Sequence, residues 1–108
     1  MSEFVDYLRE VLAPLGPIRA RKMFGGHGIY YDDVMIGLVA DEELYLKVDA
    51  TSKAAFEALD LAAFEYTAKG KTATMSYHRA PEEIYDDPEQ ARNWGVLAYE
   101  AALRARKK

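Results

Sequence analysis

Apolar residues recur along this chain first at helical and then at strand spacing. Phe4, Leu8, Val11, Leu12 and Leu15 stand at offsets of four, seven, eight and eleven from the first, which places them on one face of a helix. Ser2 is its predicted N-cap. Pro14 and Gly16-Pro17 end it, because proline lacks the N–H and disfavours helix in the residue before it. From Ile18 onward the apolar residues are Ile, Val, Tyr and Met in short runs, cut by Gly25-Gly26-His27-Gly28, Asp32-Asp33 and Asp41-Glu42-Glu43. Short runs between turn formers predict four successive antiparallel strands. The run Val34 to Ala40 has no polar side and reads as a central strand covered on both faces. Leu44-Tyr45-Leu46-Lys47-Val48 alternates, so Leu44, Leu46 and Val48 are predicted to face the core, and Tyr45 and Lys47 the other surface.

Asp49 or Thr51 is the expected cap of a second, short helix with Ala55, Phe56 and Leu59 turned to the sheet. Phe64 to Thr67 and Ala73 to Tyr77, joined through Ala68-Lys69-Gly70-Lys71, read as a hairpin in which Gly70 takes the positive φ of the turn. The last helix has the sharpest start signal, Asp87 as N-cap and Pro88 at the first helical position. Its predicted buried stripe is Trp94, Leu97, Ala98, Ala101 and Ala105, with alanines allowing close approach to a sheet. No linker, repeat or low-complexity segment interrupts the order α-β-β-β(-β)-α-β-β-α. The expectation is one α+β domain over residues 1–108, an antiparallel sheet of about five strands packed against helices.

Composition narrows the chemistry. With no cysteine in 108 residues, disulfides, thiol nucleophiles and cysteine-ligated metals are excluded. No basic start precedes an apolar run at the N-terminus, and no apolar stretch approaches bilayer length, so a soluble cytoplasmic protein without membrane association is expected. A net charge of −4 weighs against direct nucleic-acid binding, which relies on Lys and Arg displacing counterions from phosphates. The charges are segregated: basic at Arg19, Arg21 and Lys22, at Lys69 and Lys71, and in the tail from Arg104 to Lys108; acidic at Asp41 to Glu43 and from Glu82 to Glu89. Such a bipolar surface points to a protein partner, and a free edge strand or apolar second face leaves a homodimer open.

The segment Arg19-Ala20-Arg21-Lys22-Met23-Phe24-Gly25-Gly26-His27-Gly28 sets glycines beside three cations. It has two readings. Backbone N–H groups at Gly25 and Gly26 can form an anion nest beside Arg19, Arg21 and Lys22, for a small ligand or a partner; equally, a glycine cluster between strands marks a turn or bulge. The strand-to-helix context of a dinucleotide or Walker loop is missing. His27 and His78 lack metal-motif spacing, so no metal or other cofactor is expected. Ser76 and His78 would share a strand face, the minimum for a hydroxyl beside a base, but no third group orients them. The carboxylates from Glu82 to Asp87 lack the central glycine of a calcium loop. The chain is therefore read as non-enzymatic. Its eight tyrosines are sheet-packing residues first, and Tyr30 and Tyr31, adjacent in a strand, must face opposite ways.

Several segments in order, Arg21 to Tyr30, Asp41-Glu42-Glu43-Leu44-Tyr45-Leu46-Lys47-Val48-Asp49, Met75-Ser76-Tyr77, and Pro81-Glu82-Glu83 ahead of the Trp94 helix, resemble the N-terminal domain of the TfoX/Sxy competence regulators from end to end. The resemblance implies an α+β fold similar to type III secretion chaperones and YjbR-like proteins. It also implies kinship with a transcriptional coactivator of bacterial competence genes that works with the cyclic-AMP receptor protein. It brings no catalytic residues. Those regulators carry a second, C-terminal domain, so this sequence is expected to be a single-domain member.

Overall fold

The structure is a computed structural model and describes residues 3–23 and 25–106. Ser2, Phe24, Lys107 and Lys108, which figure in the expectations above, lie outside the described residues. The chain runs α1 (Glu3–Val11), β1 (Ile18–Met23), β2 (Gly26–Tyr31), β3 (Val34–Ala40), β4 (Glu43–Lys47), α2 (Lys53–Glu57), β5 (Ala63–Ala68), β6 (Lys71–Arg79), a 3-10 turn (Glu82–Tyr85) and α3 (Pro88–Arg106). The six strands form one antiparallel sheet in the order β1-β2-β3-β4-β6-β5. The expected α+β order therefore holds, with four successive strands followed by the hairpin.

Three of the connections are two-residue turns with positive φ at both positions: Asp32-Asp33 (52°, 62°), Asp41-Glu42 (53°, 57°) and Lys69-Gly70 (53°, 77°). That backbone matches the right-handed twist of the strands it joins. Asp enters the left-handed region more readily than most side chains, so the acidic pairs that punctuate the sequence make hairpins.

The helices cover one sheet face. α3 lies across β3 and β4, and α1 beside β1. Leu8, Leu12, Ile29, Ile36, Leu44, Leu46, Phe56 and Ile84 are among the core residues. Ile36 and Val39 both face this core although their spacing is not that of one strand face. A bulge resolves the conflict: Ile29 lies opposite Gly37 and Tyr30 opposite Met35, leaving Ile36 as the extra residue. Leu44, Leu46 and Val48 are buried as their alternation predicts, and Tyr31 faces α3, its ring 5.0 Å from that of Tyr99.

Capping follows the sequence at one helix and departs from it at another. Asp87 Oδ1 accepts the Glu89 N–H at 3.0 Å and the Gln90 N–H at 3.5 Å. At α2 the N-cap is Ser52 rather than Asp49 or Thr51. Asp49 stabilises the preceding turn instead, its Oδ1 taking the N–H groups of Thr51 (3.1 Å) and Ser52 (3.0 Å) while Ser52 Oγ takes that of Asp49 (3.1 Å). α2 stops at Glu57, so only Phe56 of that helix is buried; Ala55 is exposed and Leu59, past its end, is 50% exposed. In α3 the buried residues are Ala91, Gly95, Ala98, Ala101 and Ala102, while Trp94 and Leu97 are half-buried and Ala105 is exposed. The last turn of α3 lies beside the Asp49 loop, where Arg104 Nη2 donates to Asp49 Oδ1 at 3.1 Å, rather than over the sheet. Among the described residues no helix is long and apolar enough to cross a membrane.

Candidate functional site

β1 is one outer edge of the sheet, and strand alternation splits the cations that the sequence groups together. Arg19, Arg21 and Met23 point to the face away from the helices; Lys22 points to the other. Arg19, Arg21 and Lys22 are exposed. Arg19 Nη1 stands 3.7 Å from Asp33 Oδ1 with both side chains more than 80% exposed, a pair worth under about 1 kcal/mol in water. The Arg21 guanidinium lies 5.8 Å from the centroid of Tyr30, within cation–π range.

The glycines beside them are used for packing. Gly25 takes φ +76° in the turn. A Cβ on Gly26 would stand 1.9 Å from the carbonyl oxygen of Val39, and one on Gly28 would stand 2.7 Å from the methyl of Met23. β2 can lie against β3, and Met23 against β2, only because both side chains are missing. The crevice next to this turn, lined by Met23, His27 and Phe64 among others, holds about 10 Å³, near the smallest volume that admits one water.

The open face carries a second, smaller apolar layer. Tyr45 and Phe64 meet edge to face at 4.9 Å, and Tyr77 is 8% exposed. Burial, and then the neighbouring Tyr30, raise the Tyr77 phenol above its ordinary pKa. Lys47 Nζ stands 5.1 Å above the Tyr77 ring and donates to Ser76 Oγ at 2.6 Å; burial lowers its pKa, and Asp49 opposes the shift.

Ser76 and His78 do share a face, but their polar atoms are engaged elsewhere. His78 Nδ1 lies 2.7 Å from the carbonyl oxygen of Leu61, which can only accept, so Nδ1 carries the proton and donates. Ser76 Oγ is held by Lys47 and His78 Nδ1 by Leu61, so the serine hydroxyl and the imidazole are not paired with each other. Among the described residues no cluster of three or more His, Asp or Glu side chains is placed to hold a metal ion.

A groove of about 810 Å³ opens beside the hairpin of β5 and β6. Lys53, Glu57 and Asp60 stand on one wall, Thr74, Met75 and Ser76 on the other, with Leu61 and His78 also lining it. Sequence reasoning missed it, because the groove exists only where β6 outruns β4. The one available signal was the uncharged run Thr72 to Ser76 in a chain otherwise rich in charge.

Comparison with known proteins agrees with this architecture. The family model of the TfoX N-terminal domain matches residues 10–102. The chain is 33% identical over 88 residues to the DNA transformation protein TfoX1 of Aliivibrio fischeri, covering 82% of this chain and 42% of that protein. It is 28% identical over 96 residues to Protein Sxy of Escherichia coli, covering 89% of this chain and 46% of that one. The chain thus spans a little under half the length of these relatives. With a fold in the expected order and a family match over nearly its whole length, the chain belongs to the TfoX N-terminal domain family.

Proposed function

We propose that this chain is a non-enzymatic regulatory module of bacterial competence, acting in the cytoplasm by binding a protein partner through β1 and the open face beside it. The observation that carries the reading is β1 itself: among the described residues no strand pairs with its outer side, and it carries three exposed cations. Exposed cations along a sheet edge attract an incoming acidic polypeptide through its side chains. That His78 Nδ1 is held by the Leu61 carbonyl and not by Ser76 supports a role without serine–histidine catalysis. The link to competence rests on the relative named a DNA transformation protein.

A pull-down from extract of the source bacterium, with wild-type chain and an Arg21→Glu/Lys22→Glu variant, tests the surface. The wild type is expected to retain a partner that the variant loses; identical partner sets remove β1 from the interaction. Transformation frequency in a strain lacking the chain tests the process, and an unchanged frequency overturns the competence role.

A further inference from the structure

The hairpin of β5 and β6 reaches beyond the rest of the sheet. β4 pairs with β6 only from Tyr45 opposite Arg79 to Lys47 opposite Tyr77, with a last backbone bond from the Val48 N–H to the Ser76 carbonyl at 3.0 Å. The chain then turns away at Asp49, while β6 stays paired to β5 as far as Ala68 opposite Lys71. In an antiparallel strand, alternate residues aim their N–H and C=O groups to opposite sides. Ser76 aims its C=O toward β4; nearer the tip, the two-residue turn makes Ala68 and Lys71 a hydrogen-bonded pair, so Thr72 and Thr74, one and three positions further on, aim their groups away from β5. Among the described residues no strand lies on that side of them, and Thr74 lines the groove.

The edges of this sheet are not alike. β1 carries Arg19, Arg21 and Lys22, and the outer strand β5 carries Glu65; charges of this kind blunt an edge against pairing. Thr72-Ala73-Thr74-Met75-Ser76 has no charge and no proline. The wall across the groove presents Asp49, Glu57 and Asp60 against the single Lys53; Asp49 is taken by Arg104, and Lys53 stands 3.8 Å from Glu57. The tip of the arm carries two exposed lysines, Lys69 and Lys71.

We propose that a second copy of this chain occupies the groove, the β6 strands of the two copies pairing antiparallel about a two-fold axis to join their sheets. Such a pairing brings Thr72 opposite Thr74 of the other copy, each supplying outward N–H and C=O groups. It also carries the lysine tip of each arm toward Glu57 and Asp60 on the wall of the other groove. An unrelated strand would satisfy the backbone; this chain's own arm brings the matching charge as well. This inference is independent of the role assigned to β1.

Sedimentation velocity on the intact chain from about 1 to about 300 µM, the range of weak to moderate interfaces, is expected to show the mass of two chains at the upper end. Thr74→Pro removes an outward N–H without touching a β5 bond and is expected to leave only the mass of one chain. Lys69→Glu/Lys71→Glu alters exposed side chains alone and is expected to weaken pairing roughly tenfold or more. Mixing that variant with a Glu57→Lys/Asp60→Lys variant is expected to restore a two-chain species. A single-chain mass throughout the range overturns the proposal, as does a two-chain species that survives both the charge reversal and, with its circular dichroism unchanged, Thr74→Pro.

Discussion

The two ends of β6 are one strand in two environments. At its root, Tyr77 and His78 are buried between β4 and β5, with the Phe56 ring 5.8 Å from that of His78 and the Trp94 ring 4.9 Å from Phe56. At its tip, Lys71 to Thr74 are exposed, and among the described residues β5 is the only strand paired with them. Local propensity does not separate them, since both halves are rich in β-branched and aromatic residues. Burial differs because at the root Phe56 of α2 packs on His78 and Lys47 lies over the Tyr77 ring on the other face, while among the described residues neither face of the tip is covered in this way. Stability is therefore concentrated at the root.

Phe56→Ala breaks the comparison most severely. It removes a fully buried ring from over the root, and the expected loss is about 3–5 kcal/mol, read as a fall in the guanidinium midpoint. Gly26→Ala attacks the body away from β6. Because its Cβ would meet the Val39 carbonyl at 1.9 Å, β2 and β3 must part, at an expected cost of about 1–3 kcal/mol by the same measurement.

Asp49→Asn probes the loop between root and tip through its charge. The hydrogen bond from Arg104, with those from the Ser52 backbone and hydroxyl, holds the Asp49 carboxyl well below the usual carboxylate range, against a smaller opposing effect of burial. A depressed carboxylate pKa stabilises the fold above the unfolded value near 4, and that contribution is lost as pH falls below it. The variant is expected to be less stable than wild type by about 1 kcal/mol or less near neutral pH. The difference should shrink as pH drops below about 4, which denaturation curves across pH would follow. Thr72→Ala, at the tip, gives up only an exposed 2.8 Å contact with Thr67. Its effect on single-chain stability is expected to stay within about 0.5 kcal/mol; a loss approaching that of Phe56→Ala would mean the tip is held as firmly as the root.

Much of the fold was legible because turn chemistry and periodicity agreed. Asp32-Asp33, Asp41-Glu42 and Lys69-Gly70 each stood between apolar runs and each became a tight hairpin turn. Leu59 and Ala105 failed for a common reason: helical spacing continued in the sequence after the helix had ended or had left the sheet. Of the site, Arg19, Arg21 and Lys22 were legible as a basic cluster, but not as residues on opposite faces of one edge. Gly25 and Gly26 were ambiguous until Val39 was seen against Gly26.

By itself the sequence determined the element order, the inward faces of β4 and of the cap of α3, the absence of thiol chemistry and the family, since each depends on residues close together in the chain. The tertiary structure decided the rest: that β6 inserts between β4 and β5, that a bulge turns Ile36 inward, that Lys47 and Leu61 occupy Ser76 and His78, and that the edge at Thr72 and Thr74 is left open. These features depend on how far one strand reaches past another and on which helix lies above it. No local pattern of residues encodes either.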